Sequence, residues 1–137
     1  MRFRTAYPVL VTLALAGSGG MARAADPIRL PSGGEVTFHE VVWGEPGPAG
    51  LTIRFRFIDP VLANKVNDMD FVDMETDTAF LCESFALDRI SNTGPQPQQI
   101  IISIADRETE FGEPDPDATQ IFEAYSFDGA ACAWEGF

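Results

Sequence analysis

The chain has 137 residues, 21 of them acidic, nine Lys or Arg and one His, for a formal net charge of −12. That balance repels nucleic acid and anionic lipid at long range and favours a basic partner or plain solubility. The length fits one domain with one modest core.

Arg2 and Arg4, the short apolar run Val9–Ala16 and the small-residue site Ala22-Arg23-Ala24 have the order of a cleaved secretory leader. The run is too short for a membrane-spanning helix, which needs about 20 residues. Cleavage near Ala24 would remove Arg2, Arg4 and Arg23 and take the net charge from −12 to −15. The expected destination is the periplasm or the medium. In that compartment the only two cysteines, Cys82 and Cys132, are most simply a disulfide. Cys82 falls mid-helix without a flanking base, which argues against a reactive thiol.

In the remaining chain, Ala25–Gly34 reads as an extended lead-in ending in a Gly-Gly turn. Glu35–Trp43 and Leu51–Ile58 are strands joined by the loop Glu45–Gly50, so they should pair antiparallel. In the first, Val36, Phe38 and Val42 fall on one face and His39, Val41 and Trp43 on the other. In the second, Leu51, Ile53, Phe55 and Phe57 alternate with Thr52, Arg54 and Arg56. Val61–Val72 has no clear pattern. Asp73–Ile90 reads as the main helix, capped by Asp73, with a buried stripe of Met74, Leu81, Cys82, Phe85 and Ala86. Ser91–Gly94, followed by Pro95 and Pro97, ends it.

Gln99–Phe111 reads as a long strand, apolar on both faces in its first half and alternating in charge where it protrudes toward solvent. Gly112–Ala118 is a turn. Gln120–Phe127 and Ala131–Phe137 are strands joined at Asp128-Gly129. Ala118, Ile121, Phe122 and Tyr125 also fit helical spacing; the matched apolar runs flanking the Asp-Gly turn favour strand. The expected fold is α+β: an antiparallel sheet of about five strands, order β-β-α-β-β-β, with one helix (73–90) on one face and one disulfide.

The segments LCESFAL (81–87), GPQPQQIIISIADRE (94–108), FGEPDPDATQIFEAYSF (111–127) and CAWEGF (132–137) resemble a family of small secreted alphaproteobacterial proteins, a domain of unknown function. The resemblance implies an exported single domain over 25–137 and carries no catalytic residues.

No nucleophile elbow, HExxH, phosphate-binding glycine loop or CxxC is present, and no cofactor is implied. His39 and Glu40 are adjacent on a strand, which points them to opposite faces. Asp68, Asp70, Asp73 and Glu75, and likewise Glu113, Asp115 and Asp117, are calcium candidates that miss the EF-hand spacing. Capping and turn roles account for most of them. Arg54 and Arg56 make a positive strip on the sheet face away from the helix. Either it pairs with carboxylates such as Glu123, or it lies open beside Trp43 or Tyr125 as a protein- or anion-binding face. The functional expectation is a non-enzymatic exported binding or accessory protein acting on a protein partner. A calcium-binding module and a small carboxylate-based hydrolase are the alternatives.

Overall fold

A computed structural model of the chain describes residues 26–136 apart from 45 and 49. The expected leader and cleavage site near Ala24 lie outside the described residues. Six strands form one curled, half-barrel sheet: β1 (Ile28–Arg29), β2 (Glu35–Trp43), β3 (Thr52–Ile58), β4 (Gln99–Ala105), β5 (Gln120–Phe127) and β6 (Cys132–Glu135). They lie side by side in chain order. Between β3 and β4 the chain makes a short helix α1 (Leu62–Lys65) and the main helix α2 (Phe71–Leu81). A π-helical turn Cys82–Ala86 and a 3₁₀ turn Leu87–Arg89 extend α2.

This corrects the expected five-stranded antiparallel sheet. β3 and β4 run parallel, Thr52 opposite Gln99 through Ile58 opposite Ala105, while every other neighbouring pair is antiparallel. The cause is the connection. A helical crossover carries the chain back to the end where β3 began, so the next strand runs in the same direction. The sixth strand, β1, comes from the lead-in, whose turn is closed by the Leu30 amide on the Gly34 carbonyl at 2.8 Å.

One face of the sheet carries the core. Ile53, Phe55 and Phe57 of β3 lie beside Ile100, Ile102 and Ile104 of β4, all buried. Leu81, Cys82 and Ala86 close over them from the helix, and Phe38, Phe57 and Phe85 meet as rings 4.9 to 5.8 Å apart. Full burial of one such side chain is worth about 1.5–3 kcal/mol, which makes this layer the main source of stability.

Polar groups locate the helix. Asp70 rather than Asp73 is its N-cap, accepting the Val72 amide at 3.2 Å. Asp77 is 1% exposed and accepts both the Ser32 amide (3.0 Å) and the Ser32 hydroxyl (2.5 Å). Tyr125 of β5 is buried in the same layer and donates its hydroxyl to Thr78 Oγ1 at 2.8 Å. Burial of the ring is the larger influence on that phenol and raises its pKa.

The disulfide joins Cys82 at the start of the π-helical turn to Cys132 on β6, with Cα atoms 6.4 Å apart and a sequence separation of 50. It ties the crossover helix to the last strand. Cys132→Ser should lower unfolding stability by about 2–5 kcal/mol. Urea melts of the oxidised native chain and the variant check this, and coincident midpoints would refute a stabilising role.

Candidate binding cleft

The second face of the sheet is built around Arg54 and Arg56. Strand alternation puts them opposite Ile53, Phe55 and Phe57, so the buried layer fixes where both arginines point. Their neighbours on β4 are Ile101 and Ser103. On β2 they are Val42 and Glu40, an arrangement set by a bulge between Phe38 and Glu40. The extra residue at His39 reverses the alternation beyond it. Glu40 and Val42 therefore share the arginine face, while Val41 and Trp43 turn to the helix side, contrary to uninterrupted alternation.

Arg56 is nearly buried, 5% exposed. It donates Nη1 to Glu40 Oε1 and Nη2 to Thr109 Oγ1, the latter at 2.7 Å. It pairs with Glu40 rather than Glu123, which lies on the helix side and accepts the Trp134 indole N–H at 2.9 Å.

Arg54 is different. It is half-buried, and among the described residues no carboxylate lies within 4 Å of its guanidinium. Phe111 and Phe122 stand 5.3 and 5.9 Å from it, within cation–π range. Burial, then the neighbouring charge of Arg56, lowers its pKa from the ordinary value. Both effects disfavour the charged form, one by partial removal from water and the other by a like charge nearby.

The loop 106–119 roofs this face. The strand expected to continue to Phe111 stops at Ala105, because the Asp106 amide donates to the Thr119 carbonyl (3.0 Å) and Asp106 Oδ1 accepts the Thr119 amide (2.9 Å). This clasp closes the two ends of the loop. Within it, the Glu113 amide donates to the Glu110 carbonyl at 3.1 Å, with Gly112 at φ +85° in the third position. That is the positive φ a type II turn requires and glycine supplies. The turn presents Phe111 toward Arg54 and Arg56. The resulting cleft, about 360 Å³, is lined by Arg54, Arg56, Thr109–Pro114, Gln120 and Phe122.

The other sequence-derived candidates go elsewhere. Tyr125 is in the core and Trp43, half exposed, lines an apolar hollow with Leu51, Ser91, Thr93 and Pro95, so neither joins the arginines. Asp70 caps α2, and Asp115 accepts the Asp117 amide at 3.0 Å. Asp68, Asp70, Glu113, Asp115 and Asp117 form no cluster of three or more potential metal ligands among the described residues. His39, at the bulge, has Nε2 3.8 Å from Glu40 and Nδ1 3.6 Å from Glu108, which adjacency on a regular strand would forbid for Glu40. Both separations exceed hydrogen-bonding distance. Glu40, Thr109, Phe111 and Phe122 were not legible as site residues. The available signal was Phe111-Gly112, an aromatic-glycine pair inside an acidic turn sequence.

Fold and cleft together define a small mixed-sheet protein, helix-covered on one face and loop-roofed on the other. Residues 12–137 match a family of unknown function, DUF6497, and the chain belongs to that family. Comparison with curated proteins and with solved structures gives no match.

The two arginines should respond unequally to neutralisation. Arg56→Gln leaves Glu40 and Thr109 without their partner and should cost about 1.5–3 kcal/mol. Arg54→Gln, which breaks no ion pair, should change stability by less than about 0.5 kcal/mol. Equal losses in thermal melts would show that Arg54 is also structural. A second expectation concerns pH. The Arg107 side chain, then the Thr119 amide, holds the Asp106 carboxyl below the usual carboxylate range. A depressed native pKa stabilises the clasp above about pH 4 and loses that contribution as pH falls through the native value. The Thr119 amide should therefore lose hydrogen-exchange protection in acid; a protection factor constant from about pH 6 to about pH 2.5 would contradict the clasp.

Proposed function

We propose that this chain is an exported, non-enzymatic binding module that engages an anionic group on a protein partner through the Arg54 cleft. The observation that carries the reading is Arg54 itself: a half-buried guanidinium without a carboxylate partner among the described residues, in a chain with 21 acidic residues. Arg offers several fixed donors suited to carboxylate or phosphate, and an unneutralised one beside exposed aromatic rings has the composition of an interface core. Phe111 and Phe122 are each about half exposed. The leader pattern and the disulfide support export.

The test is cross-linked capture from the exported fraction of the source cells, with the native chain beside Arg54→Glu and a distant control, Asp88→Lys. The native chain and the control should retain a common partner that Arg54→Glu loses while melting normally. Retention by Arg54→Glu would move recognition away from the cleft.

A further inference from the structure

The cleft carries charge of both signs, arranged from floor to mouth. Arg54 is at the floor. Glu110 and Glu113 are the first and fourth residues of the turn that presents Phe111, and both line the same cleft and are exposed. The turn holds their Cα atoms within about 7 Å of each other. Neither carboxylate comes within 4 Å of Arg54.

This arrangement selects among ligands. A multiply charged anion or an acidic chain segment reaches Arg54 only past two carboxylates, and like charges at such range repel. A simple cation satisfies the mouth and leaves Arg54 as it was. A ligand with a carboxylate and a cation a few ångströms apart satisfies both. Volume narrows the choice further. About 360 Å³ is near the small end of ligand sites and admits an end-on chain terminus, whereas an internal aspartate brings two chain arms with it. The net charge of −12 draws basic chains toward the surface.

We infer that the cleft binds the carboxyl-terminal end of a basic peptide chain. Its terminal carboxylate sits on Arg54, its last lysine or arginine cation lies between Glu110 and Glu113, and the aliphatic stem packs against Phe111 and Phe122. The inference rests on the reading of the Arg54 cleft as the recognition site.

The experiment is titration calorimetry of the full chain with a hexapeptide ending in lysine with a free carboxylate. Its comparators are the C-terminal amide, a peptide with norleucine in place of the lysine, free lysine, and an end-capped peptide with an internal aspartate. The free-acid lysine peptide should bind most tightly, with amidation costing about tenfold or more. In Arg54→Gln the acid and amide should bind alike. In the double variant Glu110→Gln, Glu113→Gln, lysine and norleucine peptides should bind alike. Binding indifferent to amidation overturns the inference, as does free lysine binding as tightly as the peptide. Arg54-dependent binding of the end-capped aspartate peptide alone keeps the anion site and overturns the terminal assignment. No binding of any probe, with partner capture unaffected by Arg54→Glu, overturns both readings.

Discussion

The parallel register of β3 against β4 is the constraint on which the other features depend. It brings Ile53, Phe55 and Phe57 level with Ile100, Ile102 and Ile104, making a continuous apolar surface broad enough to seat the crossover helix. Because strand side chains alternate, burying that row forces Arg54 and Arg56 together onto the opposite face. Rotating Arg54 away would mean exposing Ile53 and Phe55, and rotating Arg56 away would mean exposing Phe55 and Phe57. The positive strip is thus fixed by core burial, without requiring stabilising contacts of its own.

A single inserted residue then distinguishes the two cations. The bulge at His39 brings Glu40 onto the arginine face, opposite Arg56 and not opposite Arg54. Without it, the alternation that turns Phe38 toward the core would send Glu40 and Val42 to that same helix side. The bulge also turns Val41 and Trp43 to the helix side, where Trp43 helps to frame the hollow beside Leu51 and Pro95. One arginine becomes a buried anchor for the loop through Thr109, and the other, beneath Phe111, has no carboxylate within 4 Å among the described residues.

This explains which parts of the molecule were legible in the chain. β3 stands out because its apolar and polar residues alternate, β2 by its β-branched and aromatic residues, and β5 by the matched apolar runs at Asp128-Gly129; the alternation in LTIRFRFI alone identifies Arg54 and Arg56 as partners on one face. The disulfide follows from the cysteine count, and its geometry places the helix over β6. The parallel pairing was hidden because partner choice between strands is non-local. The bulge was hidden because EVTFHEVVW alternates plausibly with or without an extra residue. The start of α2 moved because Asp70 and Asp73 are equally good caps three residues apart, and only Asp70 has the extended backbone that an N-cap needs. Tyr125 was misplaced because a tyrosine that hydrogen-bonds a buried threonine looks, in sequence, like one available to a ligand. The loop 106–119 was read partly as strand because charge alternation mimics a solvent-exposed edge, while a clasp at Asp106 and Thr119 is visible only once the ends meet.

Among the described residues no carboxylate reaches Arg54, and this gains meaning from how near suitable ones lie. Glu110 and Glu113 line the same cleft on an exposed turn, and either would relieve the guanidinium at little conformational cost if the turn let it reach inward. The turn is held from both sides: Thr109 is hydrogen-bonded to Arg56, and the Glu110 carbonyl receives the Glu113 amide across Gly112. Phe111, between Glu110 and Gly112 in that turn, sets its ring 5.3 Å from the Arg54 guanidinium, while neither Glu110 nor Glu113 comes within 4 Å of it. A cation and two anions kept apart by a hydrogen-bonded turn retain their capacity for an external partner, and opposite charges on that partner can meet both ends of the separation.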